Sequence, residues 1–322
     1  MSRSILREFL ITLFITAAFA CGGKKDDSSS AQPADPKTDP TSPKVTTDPN
    51  PEPPKPEAPR YSPDLAKKHA AELASCSSDY NCKPFEALVA FGAQAAPELI
   101  ALAIDGSAKI EARRLAAKAL GKAKVADAGP KLVEAANKLD DSLAQGDLYE
   151  AAGECGGQPT FDALIAELGK AMASSDDGRE IPLRKGLRKF PKETMAWAKA
   201  ALAKAKEPVT IADLVDDNAT DMAMVQDLLP ATKDLMARNR LAKKAIELGA
   251  TDPKLWDVFL QSLASEDPYD RSDAGNFLAP VVAKVPADKK AKLVELLKKA
   301  TEGPKDPMLK GGLEKSLKAL GG

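Results

Sequence analysis

Hydrophobic positions recur with the spacing of an α-helix over residues 96–124, where two apolar stripes are separated by the dipeptide Asp105-Gly106. The first stripe follows Pro97, which suits the first turn of a helix, and the second stripe ends near Gly121. The stripes consist of Leu99, Ile100, Leu102 and Ala103, and of Ala112, Leu115, Ala116, Ala119 and Leu120. The pattern predicts a hairpin of two short helices.

The same hairpin recurs imperfectly downstream. Residues 96–99 align with residues 129–132 at an offset of 33, and residues 116–121 align with residues 151–156 at an offset of 35. A weaker third copy covers residues 159–190. Because one hairpin cannot bury its own apolar faces, we expect neighbouring copies to stack into a continuous core.

Residues 113–123 and 128–135 read RRLAAKALGKA and AGPKLVEA, and these segments resemble the HEAT-like helical repeat also found in phycobilisome lyases. The resemblance covers about residues 90–190, and one unit matches well. It implies an all-α fold, an irregular α-solenoid of helical hairpins. We expect Gly121 and Gly156 to end the second helices in left-handed caps.

Helical patterns continue over residues 191–322 without a clean repeat. Asp267-Pro268 is an N-cap followed by a first-turn proline, and Asp252-Pro253 has the same form. Trp197 and Trp256 lie on apolar stripes, which favours core positions over ligand platforms. We therefore divide the folded part into repeats over 64–190 and further hairpins over 191–322.

The first 21 residues resemble a bacterial lipoprotein signal. Arg3 and Arg7 precede an apolar run over residues 9–20, which at 12 residues is too short to span a bilayer. Residues 18–21 (AFAC) resemble a lipobox, which predicts cleavage after residue 20 and lipidation of Cys21. Ordinary signal-peptidase cleavage with simple secretion is the alternative. Both place the protein outside the cytoplasm, and the lipid would anchor it in the cell envelope.

A polar tether follows over residues 21–63. Residues 24–63 contain 11 prolines and few large hydrophobic residues, so this segment is predicted to be disordered, with polyproline character. At about 3.1 Å per residue it would reach roughly 120 Å when fully extended. A Pro-rich ligand for a recognition module is the alternative to a spacer.

Cysteine positions predict one disulfide. Cys76 and Cys82 flank a turn-forming segment in an exported protein, which favours a bridge between them. A metal site that uses His69, Cys76, Cys82 and Asp79 is the alternative, but its spacing matches no established zinc pattern. Cys155 takes the place of Leu120 in the repeat alignment, so we interpret it as a core residue.

Charge is balanced overall, with 46 basic and 47 acidic residues, which gives no indication of nucleic-acid binding. Locally it is uneven, because residues 179–206 hold nine basic residues against two acidic ones, whereas residues 209–232 hold five aspartates and no basic residue. A patch for an anionic partner is one hypothesis; solvated faces, or mutual pairing of the two segments, are the alternatives. The candidate patch consists of Arg179, Arg184, Lys185, Arg188, Lys189 and Lys192.

No catalytic or cofactor-binding motif is recognisable. His69 is the single histidine, there is no Gly-rich phosphate loop, and the paired aspartates fall where caps and turns are expected. We therefore expect no enzymatic activity, no metal and no cofactor. The leading hypothesis is an envelope protein that binds or scaffolds another envelope protein; a lyase-like helical enzyme and a small-ligand carrier are the alternatives.

Substitution of Cys21 tests the anchor. The variant Cys21→Ser should lose its membrane fraction, because the acceptor of the lipid is gone while the rest of the export signal is intact. Fractionation of cells followed by immunoblotting measures this. Continued sedimentation of the variant with membranes would contradict lipidation of Cys21.

Overall fold

The computed structural model describes residues 60–322 except 80, 175–177, 207 and 304–305. The predicted signal peptide, Cys21 and the tether up to residue 59 lie outside the described residues. At the start of the described part, Ser62 caps the first helix by accepting a hydrogen bond from the Leu65 N–H group. Tyr61 packs edge-on against the ring of Phe91, with ring centroids 5.6 Å apart.

Sixteen α-helices form eight consecutive hairpins within the described residues, with short 3₁₀ turns between some of them. The helices are α1 (Pro63–Glu72), α2 (Lys83–Phe91), α3 (Ala96–Ile104), α4 (Ile110–Lys122), α5 (Gly129–Ala136), α6 (Ser142–Cys155), α7 (Gln158–Ala173), α8 (Glu180–Leu187), α9 (Pro191–Leu202), α10 (Pro208–Asn218), α11 (Met222–Leu228), α12 (Leu235–Glu247), α13 (Lys254–Leu263), α14 (Pro268–Leu278), α15 (Ala287–Glu302) and α16 (Pro307–Ala319). The prediction of an all-α stack of helical hairpins is confirmed for this part of the chain.

The even-numbered helices form one layer of the stack. Each packs against the next even helix, most extensively α4 on α6, α6 on α8 and α14 on α16. The odd helices lie on the other side of the hairpins, where α1, α3, α5 and α7 contact one another in sequence. This two-layer arrangement is the α-solenoid that the repeat pattern predicts.

The expected cap at Gly121 is wrong. Helix α4 continues through Gly121 to Lys122, and the positive φ of 52° belongs to Lys124 instead. A Cβ atom on Gly121 would lie 3.0 Å from the carbonyl oxygen of Ala151, so this glycine permits close approach of α6. Gly156 does end α6 with a positive φ of 77°, but its ψ of −167° is extended, so the cap is not the predicted left-handed α conformation.

Buried apolar residues form two clusters. The first extends from Ala66 to Phe190 with the addition of Leu214, and the second extends from Met195 to Leu320. Trp256 is fully enclosed in the second cluster, and the half-buried Trp197 contacts both. The two clusters therefore meet where α8 is followed by α9 and α10.

Charges recur at one position of the even helices. The sixth residue of each even helix from α6 to α14 is charged, and the sign alternates from one even helix to the next. We call this set the charge ladder: Asp147, Lys185, Asp213, Arg240 and Asp273. Within it, Arg240 donates from Nε to Asp213 Oδ1 at 2.6 Å and from Nη1 to Asp273 Oδ1 at 2.7 Å. These two pairs join equal positions of α10, α12 and α14. Other neighbours are offset along the helix axis, because Gly186, the seventh residue of α8, packs against Tyr149 and Gly153, the eighth and twelfth residues of α6.

Ion pairs bridge the junction between the two apolar clusters. Helices α8 and α10 approach each other much less extensively than α6 and α8 do. Across this junction Arg184 donates to Asp217 at 2.7 Å and to Asp213 at 3.0 Å, and Arg188 donates to Asp217 at 2.8 Å. The side chains of Arg184 and Asp217 are only 20% and 14% exposed, so solvent screens their attraction incompletely.

One described run, Lys83–Ile104, has the length and mean hydropathy (1.7) of a membrane-crossing helix. In the structure this run is not one continuous α-helix, because Gly92 adopts a φ of 60° between α2 and α3. Phe85, Leu88 and Leu99 are buried in the first apolar cluster. The run is therefore built into the helical stack.

A glycine substitution tests the close packing of α6 against α8. In Gly186→Ala the new Cβ would lie 2.5 Å from the carbonyl oxygen of Tyr149, so we expect a loss of about 1–3 kcal/mol in the free energy of unfolding. Gly169→Ala in α7 is the matched control, since nothing lies within 4 Å of its added Cβ. Gly169→Ala should raise the free energy of unfolding by about 0.5–1 kcal/mol. Urea unfolding followed by circular dichroism measures both, and equal effects would contradict the packing.

A second substitution tests the ion pairs at the junction. Arg184→Met keeps most of the side-chain volume but leaves Asp213 and Asp217 with fewer partners, so we expect a loss of about 1–3 kcal/mol. The control Lys138→Met breaks an ion pair whose two side chains are 68% and 71% exposed, and it should cost under about 0.5 kcal/mol. Measuring the unfolding of Asp217→Asn, alone and combined with Arg184→Met, gives the coupling energy between Arg184 and Asp217. A coupling near zero would show that the junction does not depend on this pair.

Candidate functional site

A cleft of about 290 Å³ lies where the loop between Cys76 and Cys82 meets α4 and α6. Its walls are rich in charge, with five carboxylates and two basic side chains. The lining residues are Ser77, Ser78, Asp79, Glu111, Arg114, Leu115, Lys118, Asp147, Glu150, Ala151 and Glu154. We call it the α4–α6 cleft.

The Cys76–Cys82 loop is attached to α4 through Asp79. Asp79 Oδ2 accepts a hydrogen bond from Lys118 Nζ at 2.7 Å and lies 3.4 Å from Lys122 Nζ. The hydrogen bond from Lys118 lowers the pKa of Asp79 below its usual range, although partial burial opposes this. The Sγ atoms of Cys76 and Cys82 lie at bonding distance, 2.06 Å, and close the base of the loop.

The carboxylates of α6 are paired with basic residues on both sides of that helix. Arg114 of α4 donates from Nε to Asp147 at 2.6 Å, while Lys189, just after α8, lies 3.3 Å from Glu150 and 3.0 Å from Glu154. Burial opposes the charge on Lys189, but the two glutamates outweigh it, so the pKa of Lys189 is raised. These carboxylates therefore each have a basic partner within the chain.

The candidate reactive residues of the sequence lie outside this cleft. His69 on α1 contacts Glu72, with its Nδ1 atom 3.1 Å from Oε2, and it stacks near the ring of Phe91. Cys155 is 4% exposed, and burial followed by the nearby charge of Glu154 raises the pKa of its thiol to about 12. Its burial matches its interpretation as a core residue. The structure does not bring these two residues together at the cleft.

The four side chains of the metal site that was considered as an alternative to the disulfide all have other partners. Cys76 and Cys82 are joined to each other, His69 contacts Glu72, and Asp79 contacts Lys118. Within the described ranges, no group of three or more His, Cys, Asp or Glu side chains is arranged to hold a metal ion.

Most of the candidate basic patch is paired inside the protein. Arg184 and Arg188 contact the aspartates of α10, whereas Lys185 and Lys189 contact the carboxylates of α6. Arg179 is half-buried and Lys192 is exposed. The acidic segment over 209–232 therefore faces part of the basic segment, which is the geometry that mutual pairing requires.

Sequence reasoning did not find the α4–α6 cleft. Its lining comes from a loop and two helices that are separated by up to 77 positions, Ser77 to Glu154, and no local motif marks it. The repeat alignment does not mark it either, because at an offset of 35 Arg114 corresponds to Tyr149 and Lys118 to Gly153.

Stacked helical hairpins in two layers define this chain as a helical-repeat protein of the α-solenoid class. Neither a family model nor a curated protein matches the sequence. Among solved structures, the chain is similar to one from "The structure of the complex of CpcE and CpcF of phycocyanin lyase from Nostoc sp. PCC7120". The TM-score is 0.27 at 18% identity, and the match covers 84% of this chain and all of the other.

Thiol alkylation tests the state of the cysteines. Purified mature protein should react with iodoacetamide at no site when native, because Cys155 is buried and its thiol has a pKa of about 12. Unfolding without reductant should expose Cys155 alone, and reductant should add Cys76 and Cys82. Intact-mass spectrometry counts the adducts. Alkylation of Cys76 or Cys82 before reduction would contradict the disulfide, and alkylation of Cys21 would indicate an unlipidated chain.

Proposed function

We propose that this protein is exported, anchored by a lipid on Cys21, and binds another envelope protein through its helical stack as a scaffolding module. The observation that carries the proposal is the layer of successively packed even helices, which offers one surface across successive hairpins. Such layers suit large protein partners better than small substrates, because their contact area is spread over many repeats.

The signal and tether supply the location. The lipobox-like residues 18–21 support anchoring, and the Pro-rich segment gives the folded part a reach of roughly 120 Å from the membrane when fully extended. Tethering raises the effective concentration of the folded part near other membrane-associated proteins, so a modest intrinsic affinity is sufficient.

We propose a binding role and not a catalytic one. Catalysis by the candidates considered from the sequence would need His69, Cys155 and a carboxylate in one cleft. The α4–α6 cleft instead has charged walls whose carboxylates on α6 are matched by basic neighbours. The small-ligand alternative would need an apolar tunnel between helices, whereas this cleft is lined by five carboxylates and two basic side chains.

Crosslinking of the anchored protein in intact envelopes, followed by mass spectrometry, tests the proposal. We expect a defined protein to be recovered with the wild type, at reduced yield with Cys21→Ser because the released chain loses its local concentration. Recovery of no protein partner from either form would contradict the scaffolding role.

A further inference from the structure

Exposed hydrophobic side chains repeat at one structural position. Among the described residues, six large hydrophobic side chains are between 42% and 87% exposed. Four of them, Leu143, Ile181, Tyr269 and Met308, are each the second residue of an even helix. Single exposed hydrophobic residues are ordinary on protein surfaces, but a recurring position indicates a continuous feature.

The intervening even helices complete the series. The second residues of α10 and α12, Val209 and Met236, are also hydrophobic but half-buried, and Val209 packs against the second apolar cluster. We call the full set the apolar row: Leu143, Ile181, Val209, Met236, Tyr269 and Met308. Helix α4 departs from the series with Glu111.

Register places these side chains side by side. The second and sixth residues of a helix lie on the same face, one turn apart. Arg240 joins the sixth residues of α10, α12 and α14, so the second residues of these three helices lie at similar heights, nearer the loops within the hairpins. Row members on α8 and α16 are offset along the helix axis from those on α6 and α14, as the contacts of Gly186 and Gly312 show. Packed helices lie about 8–10 Å apart, so the row presents one apolar side chain at about that interval from α6 to α8 and from α10 to α16. Across the less extensively packed junction of α8 and α10, this interval is not set by helix packing.

Carboxylates border the apolar row on its loop side. The N-cap residue two positions before a row member is an aspartate in four helices, α6, α12, α14 and α16. These are Asp141, Asp234, Asp267 and Asp306, and each accepts a hydrogen bond from a backbone N–H group. No basic side chain of the described residues forms an ion pair with any of the four. On the other side of the apolar row, the residues of the charge ladder form ion pairs within the protein.

We infer that the apolar row binds an amphipathic helix of another envelope protein, one with an apolar residue every seven positions and lysine or arginine beside it. Seven residues of α-helix span about 10.5 Å, which matches the interval between row members. Basic flanking residues complement the four unpaired aspartates. The inference deepens the proposed function and rests on it.

Charge distinguishes this occupant from two others. The bordering aspartates would face the headgroups of an anionic membrane, which is unfavourable. A second copy of this chain that docked through the same row would bring the aspartates of both copies together. A basic amphipathic segment has neither conflict.

Two probe peptides test the inference on the full mature chain. One is a 28-residue helix with leucine at heptad spacing and lysine beside it, and the other has glutamate in place of lysine. Fluorescence anisotropy should show binding of the lysine peptide that weakens at least tenfold in the triple variant Ile181→Ser, Tyr269→Ser, Met308→Ser. These side chains are exposed, so circular dichroism should show an unchanged fold. Met224→Ser is the matched control, because Met224 is exposed but lies on α11, outside the row.

A double variant separates the contribution of charge to peptide binding from that of apolar contact. Asp267→Asn combined with Asp306→Asn keeps side chains that cap helices comparably, but removes two carboxylates. It should weaken binding of the lysine peptide several-fold and strengthen binding of the glutamate peptide.

Three results would overturn the inference: equal binding of both peptides, no effect of the triple variant, or row-dependent binding to phosphatidylglycerol vesicles in place of the lysine peptide. If crosslinking still recovers a partner from the triple variant at wild-type yield, the proposed function stands and the row is rejected. If no partner is recovered from any form, the proposed function fails on its own test.

Discussion

Attraction between oppositely charged neighbouring helices sets the register on which the rest of this structure depends. Counted within each helix, the net charge alternates in sign along the even layer from α4 to α16. A helix between two of opposite sign pairs on both sides, as Asp213 does with Arg184 and Arg240. Alanine-rich stripes allow close packing but tolerate sliding, whereas a charge at one fixed position does not. The ladder therefore holds equal positions of α10, α12 and α14 at similar heights, while close approaches at glycines such as Gly186 and Gly275 restrict sliding of the other even helices.

The same pairing explains why a basic segment need not be a basic surface. Arg184 finds its partners 29 and 33 positions later in the chain, because one hairpin separates adjacent even helices. In the sequence, the excess of basic residues over 179–206 and the excess of aspartates after it are separate features. Stacking of the hairpins brings these two segments together at the junction of α8 and α10, which pack against each other less extensively than other neighbouring even helices do.

Much of the fold was predictable because helical hairpins are specified locally. Apolar spacing, first-turn prolines and aspartate caps located most helices, and the alignment of Cys155 with Leu120 predicted its burial. Gly121 was misread because a glycine at the end of a helix serves equally as a cap or as a point of close approach. Only the distance to Ala151 on α6 distinguishes these roles, and that distance is a tertiary property.

The sequence by itself determined the class of architecture and the identity of the buried residues in the best repeats. It also predicts the export signal. These follow from periodicity and short motifs, which act over a few residues. The tertiary structure decided the charge ladder, the α4–α6 cleft and the apolar row. Each of these depends on which positions of separate helices come to the same height in the stack, and that is settled by packing and ion pairing between helices about 30 residues apart.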